Sequence, residues 1–234
     1  MSELIRCERI NGNNFITMAD GKANIMSPAM LDRLADAFDI AERDGGPLVL
    51  RSATPGVFSA GFDLSVFKSG DRAALHDMVR KGAELAARLL EFPYPVIGLL
   101  EGHAYPMGAF LLLASDLRIA ARIPLRIGLN EVAIGIVPPA FAIELARSRL
   151  HPAWLNRTVV LGEMFGPDDA CQAGFVDIVV SPEDLDATLA TALQSVRAID
   201  AAAHRIAKQK LRGPVAAAMR KAIAAEMGQT ETAA

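Results

Sequence analysis

Two short segments of this chain carry residue types that could stabilise a developing negative charge. The first is Phe58-Ser59-Ala60-Gly61-Phe62-Asp63-Leu64. It follows the apolar run Pro47-Leu48-Val49-Leu50, which reads as a buried strand. A turn of small residues in such a place lets backbone N–H groups point into a cavity instead of pairing along a sheet. The stretch from Pro95 to Phe110 repeats the theme, passing from an apolar strand through Gly102-His103-Ala104-Tyr105-Pro106-Met107-Gly108 into a helix. One donor from each turn can hold a single oxygen atom that becomes negative during a reaction, which is the construction of an oxyanion hole. Taken singly, each turn is also an ordinary α/β loop, and it is their pairing that carries the reading.

The elements that must position these turns show in the patterning. Residues 3–18 alternate around Asn11-Gly12, a hairpin signal. Ser27 and Pro28 fit the N-cap and first position of a helix. Its apolar residues Met30, Leu31, Leu34, Ala37, Phe38 and Ala41 recur at helical spacing, and Asp44-Gly45-Gly46 stops it. A second helix is expected over 71–90, broken by Phe92-Pro93-Tyr94-Pro95, and strands over 47–51, 96–100, 117–120 and 125–127. A helix over 108–115 follows the second turn. Strands and helices alternating through short connections imply a βαβ build. After residue 138 the pattern reads as largely helical, over 139–150, 167–173 and 184–212, and the tail from Gly213 is expected to fray.

Composition narrows the function classes. The 234 residues suffice for one α/β domain, and 52% hydrophobic against 22% charged residues implies a sizeable core. A net charge of −3 gives no electrostatic case for nucleic acid. Cys7 and Cys171 are too few for a disulfide framework. The N-terminal residues lack a signal-peptide core, and charge or Pro interrupts every apolar stretch short of a membrane span. A soluble, cytoplasmic protein is expected. No Cys/His cluster has metal-ligand spacing. Ser59 and Ser115 lack the His-plus-acid surroundings of a serine hydrolase.

The two turns and their flanks resemble the crotonase superfamily, the enoyl-CoA hydratases and isomerases, over about residues 10–180. The resemblance implies an α/β fold, the ClpP/crotonase spiral of ββα units, spanning 1–180, with a C-terminal helical layer over 181–234. It implies that the N–H groups of Phe62 and Met107 are the oxyanion donors. Met107 stands where the family usually carries glycine, but a backbone donor does not depend on its side chain. Gly61 and Gly108 complete the two turns, and the backbone of Ala60 faces the adenine end of CoA. Lys22-Ala23-Asn24 is similar to the family's segment beside adenine and pantetheine. Lys208 and Lys210 are candidates for the CoA phosphates, with solvated surface lysines as the plainer reading. No cofactor is implied beyond the CoA of the substrate, and the partners implied are an acyl-CoA thioester and further copies of the chain, as a homotrimer or hexamer.

The family's hydratases use two glutamates. The first would fall at Phe110, which cannot transfer a proton and reads as core or as an apolar wall. The second falls on Glu131, within Ile127-Gly128-Leu129-Asn130-Glu131. That run is similar to the mitochondrial-type Δ3,Δ2-enoyl-CoA isomerases, which keep only this glutamate. The resemblance therefore implies an isomerase acting in fatty-acid metabolism. A hydratase, another acyl-CoA hydrolase or decarboxylase, and a catalytically degenerate CoA-binding scaffold are the alternatives. By residue type alone, Glu131 is equally a helix-cap or surface carboxylate. His103 reads as structural or substrate-lining, Asp63 as a local cap, and Asp116 as a core partner or turn cap.

Overall fold

The computed structural model describes residues 4–232, with side chains through Glu226. The hairpin β1 (Ile5–Ile10) and β2 (Asn13–Met18) turns on Asn11 and Gly12, both at positive φ, which matches a two-residue turn with the twist of its strands. Glu3, the expected start of this alternation, lies outside the described residues. Helix α1 (Pro28–Asp44) starts where expected, with the Ser27 hydroxyl accepting the Met30 N–H.

Three strand–strand–helix units follow. The first holds β3 (Leu48–Ser52), β4 (Gly56–Ser59), the short α2 (Leu64–Lys68) and α3 (Arg72–Glu91). The second holds β5 (Val96–Leu100), β6 (Gly102–Ala104) and α4 (Pro106–Ala114). The third holds β7 (Leu117–Ala121), β8 (Ile127–Gly128), a 3-10 turn over Val132–Ile134, and α5 (Ala140–Arg149). Beyond them come β9 (Met164–Phe165), α6 (Pro167–Ala173), β10 (Ile178–Val180), α7 (Leu185–Arg197) and α8 (Ala201–Thr232).

Each unit splits its strands between two sheets. The first strand joins a six-stranded sheet of order β1-β2-β3-β5-β7-β10, and the second joins a four-stranded sheet of order β4-β6-β8-β9. This is the expected spiral of ββα units. The two-residue period of β3 divides its side chains between faces. Leu48 and Leu50 enter the large core with α1, α3 and α4, whereas Val49 joins Leu189 and Leu193 of α7 on the opposite face.

The structure departs from the patterning in four places. Of the expected 125–127 strand only Ile127 pairs, in the two-residue β8 that ends at Gly128. Helix α4 begins at Pro106, which puts Met107 inside its first turn. The chain after residue 138 is largely helical as expected, but two short strands that the patterning did not show, β9 and β10, extend the two sheets. From Gly213 to Thr232 the expected fraying is absent: α8 runs from Ala201 to Thr232 with Pro214 inside it, and the last two residues of that tail lie outside the described residues. Proline removes one helical N–H donor there. Tertiary packing overrides that loss, since Ala216, Met219 and Ile223 are buried in the large core and Arg220 reaches Glu84 and Glu91 of α3.

Burial of this segment has a measurable consequence. Met219→Ala is expected to destabilise the fold by about 2–5 kcal/mol, the usual cost of truncating a buried methionine. Leu211→Ala, at an exposed position of the same helix, should change stability by less than about 0.5 kcal/mol. Urea unfolding curves of the two variants provide the check, and a silent Met219→Ala would mean that α8 does not hold its C-terminal half against the core.

Candidate active site

The turn after β4 is held from both sides. Asn24 donates to Ser52 Oγ (2.7 Å) and to the Phe58 carbonyl (3.1 Å), and Ser59 Oγ donates to the Asn24 carbonyl (2.7 Å). Within the turn, Ala60 N–H goes to the Ala23 carbonyl (2.8 Å), and Gly61 N–H to Ser59 Oγ (3.1 Å). Gly61 reverses the chain at φ 83°, a backbone shape costly for other residues. The next N–H, that of Phe62, meets no backbone carbonyl among the described residues.

The second turn docks on the first, with Tyr105 N–H bonded to the Ser59 carbonyl at 2.9 Å. Pro106 opens α4, and the first helical bond runs from Ala109 N–H to the Tyr105 carbonyl. Met107 N–H lies ahead of that bond and likewise meets no backbone carbonyl among the described residues. It sits at a helix N-terminus, where orphan donors and the dipole both favour an anion. The two turns share a support that residue patterning did not single out. A Cβ at Gly82 of α3 would come within 2.5 Å of the Phe62 ring and 2.9 Å of Met107 Sδ, so both side chains use the space this glycine leaves. A glycine breaking the apolar stripe of α3 was the available signal.

Beside the turns lies a cavity of about 270 Å³. Its walls include Phe62, Leu64, Phe67, Pro106, Ile134, Ile136 and Pro139, with Ala60 and Tyr105 completing one side. Asn130 and Glu131 also line it, and Glu131 is the only carboxylate among the lining residues. Glu131 follows β8 and starts the 3-10 turn, its carbonyl accepting the N–H groups of Ile134 and Ile136. Its side chain is 5% exposed, and neither carboxylate oxygen has a hydrogen-bond partner. Loss of hydration pushes its pKa up from 4.5 to about 7, opposed only by the adjacent N–H of its own backbone.

The remaining expected residues fall in different places. Lys22 is exposed on the turn beside Ala23, and that turn packs against Ala60. Gly108 is buried in the first turn of α4 against Ser59, where a Cβ would meet the Ser59 side chain at 2.7 Å. Phe110 is fully buried, edge-on to Phe141 with ring centroids 5.3 Å apart, and is not among the cavity-lining residues. It is core and forms no part of the cavity surface. Lys208 is corrected outright: it is 5% exposed and bonded to Asp116 at 2.6 Å, so it cannot reach a phosphate in solvent, whereas Lys210 is exposed. Asp116, read as a core partner or turn cap, pairs in the core. Asp63 caps α2 through Ser65 N–H, and His103 Nδ1 accepts the Arg126 N–H.

Paired strands feeding two separate sheets, with a cavity at the turns between strand and helix, define a crotonase fold. The chain belongs to the enoyl-CoA hydratase/isomerase family, whose sequence model matches residues 8–233. It is 30% identical over 192 residues to the mitochondrial enoyl-CoA delta isomerase 1 of Homo sapiens, covering 81% of this chain and 64% of that protein. The chain thus spans a little under two thirds of this relative's length. It is 31% identical over 188 residues to the carnitinyl-CoA dehydratase of Salmonella arizonae, covering 79% of this chain and 71% of that one. A crystal structure of a probable enoyl-CoA hydratase from Mycobacterium tuberculosis H37Rv superposes with a TM-score of 0.92 at 38% identity, covering 98% of each chain. These names span isomerase, dehydratase and hydratase, so a choice among the reactions rests on this chain's own residues. Among the described residues, no helix is long and apolar enough to cross a membrane.

The raised pKa of Glu131 makes stability depend on pH. The folded chain holds this proton more tightly than the unfolded chain, so stability falls as pH rises from about 4.5 to about 7. A shift of that size corresponds to about 3 kcal/mol. Glu131→Gln removes the ionisable group and is expected to gain up to about 3 kcal/mol over wild type at about pH 8, with no such gain at about pH 4. Urea unfolding at the two pH values tests this, and an equal effect at both would show that the carboxylate is not desolvated.

Proposed function

We propose that this protein is a Δ3,Δ2-enoyl-CoA isomerase with Glu131 as its single acid–base residue. The observation that carries the reading is the unpartnered Glu131 carboxylate, alone of its kind in an apolar cavity beside two turns whose Phe62 and Met107 N–H groups are unengaged. The ionised carboxylate takes a proton from C2 of a 3-enoyl thioester. The electron pair spreads over a dienolate whose charge rests on the thioester oxygen. The N–H groups of Phe62 and Met107 hold that oxygen, a contribution of about 3 kcal/mol per donor in comparable sites. Glu131 then returns the proton to C4, leaving the double bond between C2 and C3. Atoms and charge balance with no second acid and no redox partner.

Hydration asks for more. It needs one group to activate water and another to deliver a proton to carbon, and the position of the family's other glutamate holds Phe110, enclosed in the core. The scaffold reading is disfavoured by an open cavity and a carboxylate kept free of ion pairs. A chain with no chemistry to perform would gain stability by filling the one and pairing the other.

The experiment is a substrate panel of 3-enoyl, 2-enoyl and β-keto acyl-CoAs. Purified protein should convert a 3-enoyl-CoA, read by the ultraviolet absorbance of the conjugated thioester, and hydrate crotonyl-CoA poorly. Because the base acts ionised, kcat/KM should rise with pH up to about 7 and then level. Glu131→Gln should lower kcat by at least about a hundredfold while the protein stays folded. Efficient crotonyl-CoA hydration by wild type, or a fully active Glu131→Gln, would sink the one-base proposal.

A further inference from the structure

Gly82 lies inside α3, flanked by Lys81 and Ala83, where an alanine would serve the helix better. It is buried, and a Cβ built there would find its three nearest atoms from elsewhere in the chain at Phe62 Cζ (2.5 Å), Phe62 Cε1 (2.7 Å) and Met107 Sδ (2.9 Å). Relaxed contacts between carbon atoms stand about 3.5–4.0 Å apart, so a larger residue fits only by moving one of those side chains. The two side chains that meet in this gap are both buried, and they belong to the two residues whose N–H groups meet no backbone carbonyl among the described residues. Their turns are tied once already, by the bond from Tyr105 N–H to the Ser59 carbonyl at 2.9 Å. The Gly61 carbonyl, the other end of the peptide group that carries the Phe62 N–H, accepts from Met26 N–H at 2.8 Å. A single tie between two turns sets one distance and lets them rock about it. A second tie, through the side chains, removes that freedom.

We propose that Gly82 is a positioning residue for the oxyanion hole: the gap it leaves in α3 seats Phe62 and Met107 together and so fixes the separation of their N–H groups. This rests on the acyl-CoA reading above and adds the part of the fold that holds its two donors in register. Donors aimed at one oxygen act chiefly on the charged intermediate, because the charge develops there and not on the neutral thioester. A methyl group at position 82 meets the Phe62 ring first, and a ring has fewer ways to yield than the unbranched Met107 chain. Its displacement passes to the Phe62 backbone, whose N–H no backbone carbonyl holds.

The test uses acetoacetyl-CoA, a β-keto thioester whose C2–H bond breaks to give an enolate with its own ultraviolet band. The electron pair passes to oxygen and the proton to Glu131 or to solvent, so the hole is read without isomerase turnover. At neutral pH, wild type should hold a larger share of the ligand as enolate than free solution does. Gly82→Ala should lower the enolate-to-keto ratio of bound ligand by about tenfold or more. Its calorimetric affinity for butanoyl-CoA, whose C2 is not acidic enough to ionise, should stay within about twofold of wild type. Phe62→Leu withdraws the far atoms of the ring, and in the Gly82→Ala background it should recover about threefold or more of the loss, which general destabilisation cannot produce. Where Gly82→Ala does not fold, Phe62→Leu alone carries the test. Emptying the gap should lower the ratio by about threefold, and an unchanged ratio overturns the proposal. An unchanged ratio in Gly82→Ala, an equal loss of butanoyl-CoA affinity, or no recovery in the double variant also overturns it and leaves the acyl-CoA site standing. Wild type that binds acetoacetyl-CoA without raising its enolate share shows that the two N–H groups form no oxyanion hole. Wild type that binds neither thioester overturns the acyl-CoA reading itself.

Discussion

Helix α4 is buried along its whole length, and much of the rest of the fold answers to that fact. Its N-terminus supplies the Met107 N–H. Its C-terminus leaves carbonyls in the core, where no water can pair them and each unpaired group is costly. Two arginines from distant helices satisfy them. Arg149 of α5 donates to the Leu113 carbonyl at 2.7 Å and the Ser115 carbonyl at 3.0 Å, and Arg212 of α8 donates to the Ala114 carbonyl at 3.1 Å. Cations at this end also suit the helix dipole. Asp116 offsets the buried charge, accepting from Arg212 (2.9 Å), Lys208 (2.6 Å) and the Val96 N–H (2.8 Å). Burial nonetheless pushes Lys208 down to about 8. The C-terminal helices are thus tied to the helix that opens onto the cavity through groups that could not be left alone.

This arrangement explains what was legible in the sequence and what was not. The two small-residue turns, the Asn11-Gly12 hairpin and the Ser27-Pro28 helix start are local signals, in which the residue type states its backbone requirement. They stand where expected. The division of each unit between two sheets was not readable, because β6 spans three residues and β8 two, too few to show any period. Gly213-Pro214 is a genuine stop signal by local chemistry. It is overridden by Ala216, Met219 and Ile223, whose burial depends on contacts with α3 and α5 that no local window contains. Lys208 failed for a related reason. A lysine announces its charge but not its partner, and Asp116 is 92 positions away.

The site shows the same division. Glu131 could be singled out only through the resemblance of its surrounding run, since by type it was equally a surface carboxylate. Phe110 was read as the wall that makes this carboxylate basic. Its ring lies in the core, edge-on to Phe141, and the apolar cavity surface that Glu131 shares is made by residues including Phe62, Leu64, Ile134, Ile136 and Pro139. Those residues sit on two stretches some 70 positions apart, 62–64 and 134–139, so the desolvation of Glu131 is a property of the assembled cavity.

That desolvation is also a liability built into the fold. A buried carboxylate with two unpaired oxygens is destabilising at neutral pH, and one well-placed lysine or arginine would relieve it. The chain has cations to spare nearby in sequence, Arg122, Arg126 and Arg147 among them, yet directs them to Asp168, the Met164 carbonyl and Glu144. Pairing Glu131 would lower its pKa and with it the driving force for taking a proton from carbon. Keeping it unpaired needs every donor of the cavity wall to stay out of its reach. Asn130 and Tyr105 line the same cavity, yet neither oxygen of Glu131 has a hydrogen-bond partner. The strain of the site is therefore electrostatic rather than conformational, concentrated on one carboxylate and offset by the extensive burial around α4.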